Sequence, residues 1–268
     1  MLMQSYTASV KRKLLLSRCR LAHTVVLAVA TVLLCEVAVS QVVISPVTVE
    51  FNGRQRVVSV AISLSDKAAP MRLQTDVLRW EQDLLGAAVT EPSDELVVTP
   101  PIVNLRPGTT QIFRVALRGG RPSPDELAYR LILEDVSEPT IKTNDSAGMN
   151  VEFRMRYDLP VLIAPLGDVI NSLHWNPCPA STTLRAFPNR EACIRLINTG
   201  NRRVKIQTLT VAGDGWQQAL LLKDGENVLV GTEREWRIPL QPSQTGKVQS
   251  VQMQTARGET LHAKAGGV

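Results

Sequence analysis

Between residues 151 and 163 every odd position is apolar, and all but one of the even positions carry a charge or a proline. Side chains alternate between the two faces of a strand, so the pattern predicts a β-strand with one apolar face. Pro160 cannot donate to a ladder, which places the strand at a sheet edge or a bulge. A long edge with an apolar face invites pairing with another chain, and the pattern therefore points first to strand addition. The alternative left open is an ordinary final strand whose apolar face lies in its own core.

The same short-period patterning recurs along the chain. Residues 42–51 and 57–64 flank Asn52-Gly53, a pair suited to the positive φ angles of a tight turn, and are expected to form a hairpin. Further strands are expected at 71–80, 96–99, 110–117 and 127–136, and residues 139–150 read as a polar loop ahead of the alternating segment. About seven strands in roughly 120 residues is the density of an immunoglobulin-like sandwich. Ala164-Pro165-Leu166-Gly167 is suited to a handover between domains. Beyond it, strands are expected at 192–198, 204–211, 219–223, 228–230, 235–240 and 248–255, separated by Asn-Thr-Gly-Asn, Asp-Gly and proline-rich turns. No stretch after residue 40 keeps a helical apolar period for more than about two turns, so the class is all-β, with two sandwiches.

Residues 1–40 do not belong to this fold. Lys11, Arg12, Lys13, Arg18 and Arg20 precede an apolar stretch over 21–34, and Ala38 and Ser40 fit a cleavage site that would leave Gln41 at the N-terminus. The stretch is a signal peptide by this reading, too short to span a bilayer, and no membrane span is expected after its removal. The leader carries those five bases and Glu36, so its loss lowers the net charge from +5 to about +1. Without a strong basic excess or clustered aromatics, no nucleic-acid partner is expected. Cys19 and Cys35 leave with the leader, while Cys178 and Cys193 remain in an oxidising setting and are expected to form a disulfide. No metal is expected, because His174 and His262 are the only later histidines and neither has a zinc-like spacing to the cysteines.

Catalytic chemistry finds no support in the chain. There is no strained nucleophile elbow of the G-x-S-x-G type, and Glu134-Asp135 and Asp94-Glu95 read as solvated charges at strand ends or turns. Gly213-Asp-Gly215 lacks the remainder of a phosphate-binding fingerprint and reads as a turn. The chain is not expected to be an enzyme or to need a cofactor.

Residues 98–115, with Thr99-Pro-Pro101, Leu105-Arg-Pro-Gly108 and Gln111-Ile-Phe-Arg114, resemble a signature of the periplasmic pilus-assembly chaperones of the chaperone-usher pathway. Asp125-Glu126, Tyr129-Arg-Leu131, Arg156-Tyr-Asp-Leu-Pro-Val161, Leu196-Ile-Asn-Thr-Gly-Asn201 and Glu233-Arg-Glu-Trp236 extend the resemblance, which is strongest in motif to the archaic, spore-coat-like or Csu-type branch. It implies two immunoglobulin-like domains in a boomerang, over 41–164 and 165–268 after the 1–40 signal peptide. It also implies a periplasmic protein that donates the last strand of the first domain to pilin or fimbrial subunits and delivers them to an outer-membrane usher. Val151, Phe153 and Met155, continued by Tyr157 and Leu159, match the subunit-binding face of that strand. The family commonly anchors the subunit's terminal carboxylate with an Arg and a Lys, but Thr48 and Pro160 stand at those positions here. A buried carboxylate needs a donor, so the resemblance moves the anchor to Arg130 first and Arg156 second. A structural fimbrial subunit, or another exported immunoglobulin-like binding protein, is the alternative function.

Overall fold

The computed structural model describes residues 41–52, 54–119, 123–138, 153–179, 191–244 and 246–266. The expected signal peptide, the polar loop over 139–150, and Val151 lie outside the described residues. Among the described residues there are seventeen strands and no helix long and apolar enough to cross a membrane.

The first ten strands build two sheets. One orders β1 (Val42–Ser45), β3 (Val57–Leu64), β8 (Thr110–Leu117) and β6 (Leu96–Thr99) as β1-β3-β8-β6. The other uses β2 (Val49–Phe51), β10 (Arg156–Ile163), β9 (Leu127–Asp135), β4 (Met71–Gln82) and β5 (Ala88–Pro92) in the order β2-β10-β9-β4-β5. In addition, β7 (Ile102–Leu105) pairs with β4. Alternation dictates what faces inward. Phe51, Val60, Ile62, Leu73, Phe113, Val115, Leu131, Leu133 and Val161 are fully buried in one apolar core between the sheets.

The expected hairpin across Asn52-Gly53 does not form. The chain leaves the first sheet after Ser45, and β2 joins the second sheet beside β10 while β3 returns to the first. Val49 and Phe51 thus face Val60 and Ile62 in the core and do not pair with them along a ladder. Turn chemistry at Asn52 specified a reversal but not which strands it would join. A second change of sheet, at Thr99-Pro-Pro101, carries β6 into β7.

The C-terminal strands are β11 (Leu173–Pro177), β12 (Glu191–Asn198), β13 (Val204–Gly213), β14 (Trp216–Val228), β15 (Glu233–Pro239), β16 (Ser250–Thr255) and β17 (Thr260–Ala265). They are hydrogen-bonded in the order β14-β13-β16-β17-β11-β12-β15. Ile194, Leu196 and Ile238 from one end of this path share a core with Ile206, Leu209, Val211 and Met253 from the other, so the path doubles back as a second sandwich. Asp214-Gly215 forms the tight turn between β13 and β14, as its sequence predicts. Asp224-Gly225, with the same composition, does not end a strand: both residues have positive φ inside β14, where the register with β13 slips between Ile206 and Thr208. Left-handed backbone is available to Asp-Gly in a bulge as well as in a turn, so the expected strand 219–223 continues through Asp224-Gly225 to Val228, and the expected strand 228–230 does not form, Leu229 and Val230 lying in the turn that follows.

Cys178 and Cys193 are joined, with their Cα atoms 5.4 Å apart and a sequence separation of 15, beside the Cys178 N–H bond to the Cys193 carbonyl. In the chain-entropy view a loop of this length stabilises by about 3 kcal/mol. The Cys178→Ser, Cys193→Ser variant is expected to lose about that much in urea unfolding, with an unchanged strand signal by circular dichroism.

Candidate functional site

Strand β10 has two different surroundings along its length. It pairs with β9 throughout, from Arg156 opposite Glu134 to Ile163 opposite Leu127. On its other side β2 covers only Val161 to Ile163. From Arg156 to Pro160 that side has no strand among the described residues, so Pro160 sits one residue before the second ladder begins. A residue without an N–H belongs there, at the limit of an open edge.

The odd face of this segment changes character at Tyr157. Leu159, Val161 and Ile163 belong to the sandwich core, and Tyr157 packs against it, half-buried. Met155 and Phe153 continue the alternation, but they are 48 % and 81 % exposed. Pairing nevertheless persists, because the Asp135 N–H donates to the Met155 carbonyl at 2.9 Å. The expected run of five binding side chains is therefore divided. Tyr157 and Leu159 turn into the sandwich's own core because the second sheet's partner lies beneath them, whereas Phe153 and Met155 extend past it.

The even face of the same sheet holds the cations. Arg130 on β9 stands between Pro160 of β10 and Leu78 of β4, and Thr48, just before β2, lies at the level of Pro160. The two positions that carry no cation and Arg130 thus share one row across the sheet. The Arg130 guanidinium lies 3.7 Å above the Trp80 ring and 3.4 Å from Asp158. Stacking on an indole holds a guanidinium flat and leaves its edge free to bind an anion. Its Nε is buried without a partner, as is Trp80 Nε1. Arg156 is exposed on the same face, four residues from Pro160 or about 13 Å along the strand.

The next row along the sheet meets the second sandwich. Trp80 and Leu162 form a small buried cluster with Leu229, from the turn after β14, and the Gln82 side-chain oxygen accepts the Leu229 N–H at 3.0 Å. Glu126 receives Arg203 at 2.7 Å and Arg202 at 3.7 Å, and Arg203 also reaches Glu50 of β2 at 2.7 Å. Asn201 donates to the carbonyls of Pro124 and Asp168, and its own carbonyl accepts the Glu126 N–H. A third contact uses the β4–β5 turn, where the Leu85 carbonyl accepts from Arg234 and the Leu84 carbonyl from the Glu235 N–H. Gly86 in that turn has φ +84°, and a Cβ there would come within 2.0 Å of the Arg234 guanidinium, so a side chain would be strained and would displace this contact.

Residues 41–167 match the family described as pili and flagellar-assembly chaperone, PapD N-terminal domain. This first sandwich belongs to the pilus-assembly chaperones. The fold of the chain matches a chain of the CsuC–CsuE chaperone–tip adhesion subunit pre-assembly complex from archaic chaperone-usher Csu pili of Acinetobacter baumannii, with a TM-score of 0.58. That match is 16 % identical and covers 85 % of this chain and 100 % of the other. The class 5 fimbriae chaperone CfaA gives a TM-score of 0.58 at 14 % identity, covering 85 % and 100 %, and the E. coli chaperone DraB 0.51 at 19 %, covering 84 % and 96 %. Comparison with the curated proteins finds no relative by sequence. At these identities the solved structures establish the shared two-sandwich fold.

Within the chaperone, the contacts between sandwiches are what sequence reading missed. Glu126 and Arg203 are 77 residues apart, and nothing in the local pattern joins them. Trp80 read only as the end of a strand. Electrostatics at Arg203 are unequal: burial pushes the Glu126 carboxyl above its usual range despite the arginine, whereas the Arg203 bond holds half-exposed Glu50 below it.

Arg203→Met would leave Glu126 with only the backbone N–H of residue 203, which donates at 3.1 Å, and distant Arg202, at an expected cost of about 3 kcal/mol at neutral pH. Glu126→Gln, which leaves Arg203 with Glu50, is expected to cost less. A carboxyl raised in the folded state favours folding when protonated, so the Arg203→Met deficit should shrink as pH falls toward 5 and grow as it rises. Urea unfolding at several pH values measures both.

Proposed function

We propose that the protein is a periplasmic chaperone that captures pilin subunits by lending them the open edge of β10, and passes them to an outer-membrane usher. In this reading residues 1–40 are a removed signal peptide, 41–164 the chaperone's first immunoglobulin-like domain and 165–268 its second. The observation that carries the reading is the apolar alternation that outruns its own core. Phe153 and Met155 are exposed just ahead of β10, whose far side has no partner among the described residues up to Pro160. A subunit lacking one strand supplies both that partner and an apolar groove. Val151 would add one further side chain of the same parity. Tyr157 and Leu159 fix the strand's register by packing at home, since a slip of one residue would expose them.

The subunit's terminal carboxylate is assigned to Arg130. It stands in the row of Thr48 and Pro160, and its guanidinium is held flat by Trp80. Arg156 lies too far along the strand to share that row and is the weaker candidate. Carboxylate and guanidinium offer two parallel hydrogen bonds, a geometry a lysine could not supply.

Phe153→Asp with Met155→Asp is expected to abolish co-purification of a co-expressed pilin subunit while circular dichroism stays unchanged. Normal capture by that variant would sink the strand-donation reading. Arg130→Ala should weaken capture by about tenfold or more, as expected for loss of a charge-assisted pair, and Thr48→Ala much less. The reverse order in a titration would refute the anchor.

A further inference from the structure

Beyond the strand edge and the Arg130 row, the molecule has one more concentration of charge around an open volume. A cleft of about 400 Å³ is bounded by Val169 and Asn171 of the inter-sandwich linker, Arg202 and Lys205 at the start of β13, and Arg257 and Leu261 around the β16–β17 turn. Glu50 and Glu259 are the acids that line it. Glu50 is already engaged by Arg203, which also takes Glu126. Arg202 touches Glu126 only at 3.7 Å, and Lys205 and Arg257 make no ion pair among the described residues. The crowding has a cost: burial, with Arg257 and Arg203 close by, disfavours the charge on Arg202. A ligand carboxylate entering the cleft would relieve this repulsion.

The lining also has an apolar part, made by Val169 and Leu261. Val169 is 46 % exposed, and the backbone beside it is tied down by the Ile170 N–H bond to the Asn201 side chain and the Ile170 carbonyl bond from the Asn201 N–H. Aliphatic side chains held out on a fixed backbone beside unpaired cations complement an anion that carries aliphatic groups with it. An inorganic anion would use the cations and leave the apolar part empty.

We propose that this cleft is a second polypeptide-binding site, which takes a partner segment with carboxylate side chains next to aliphatic ones. Lys205 and Arg257 receive the carboxylates, and Val169 and Leu261 receive the aliphatic groups. The site does not involve Phe153, Met155 or Arg130, and it stands or falls separately from strand donation.

Fluorescence anisotropy of the full chain with a labelled peptide of alternating aspartate and leucine tests this. Binding is expected to weaken about tenfold in Lys205→Ala with Arg257→Ala, and to fall steeply with added salt. Peptides of aspartate with serine, or lysine with leucine, should bind several-fold more weakly. The Phe153→Asp, Met155→Asp variant should bind the aspartate–leucine peptide as the unaltered protein does. Unchanged affinity in the Lys205, Arg257 variant would overturn the proposal, as would equal binding of the lysine–leucine peptide. Equal binding of the aspartate–serine peptide, with full displacement by inorganic phosphate, would reduce the cleft to an anion site and overturn the polypeptide assignment. Loss of binding only in the Phe153, Met155 variant would place the peptide on the strand edge instead.

Discussion

The pairing of β10 with two unequal neighbours governs the rest of this molecule. β9 accompanies the whole strand, but β2 is three residues long and reaches only Val161 to Ile163. Among the described residues everything upstream is therefore half a ladder, and the proline at position 160 marks where the half ladder ends. Because the strand must be held firmly to remain open, its downstream odd residues are sunk in the core while its upstream ones are not. Retention and exposure are achieved by one alternation, divided at Tyr157.

The contacts between sandwiches bear on the same strand. Leu162, on the even face of β10, packs with Trp80 and Leu229, and Trp80 in turn supports Arg130. The indole is thus shared between the junction of the sandwiches and the cation on the donor sheet. A change in how Leu229 of the second sandwich meets the Trp80 indole would be felt at the guanidinium through a single ring. The Glu126, Arg203 and Glu50 cluster and the Arg234 contact with the β4–β5 turn restrain that junction at two further points.

Most strands were legible because one-sided burial imposes a period of two, and the ranges 96–99, 110–117 and 57–64 agree with β6, β8 and β3. The strands missed from the pattern are of another kind. All five residues of β5 are exposed, so nothing in them alternates, and β7, β11 and β17 are four to six residues long. Asn52-Gly53 and Asp224-Gly225 mark where the backbone can turn left-handed, but whether that produces a hairpin, a change of sheet or a bulge depends on partners distant in sequence. The apolar face of this segment was readable as parity, whereas its division into exposed and buried parts was not, since that depends on where the opposite sheet stops. Arg130 could be singled out by resemblance; its stack on Trp80 could not, because it requires the register of β4 against β9.

The bulge at Asp224-Gly225 has a meaning beyond the shape of its own strand. β14 is thirteen residues long, lies at the end of its sheet and carries a highly exposed leucine at position 221, the ingredients of an adhesive border. A break in register makes that border a poor template for a straight partner. Of these two margins, the one on β10 is hospitable and the one on β14 is spoiled. Something that accepts a strand at one margin and refuses it at the other can terminate a chain of strand exchanges but cannot propagate one, which distinguishes an escort from a building block.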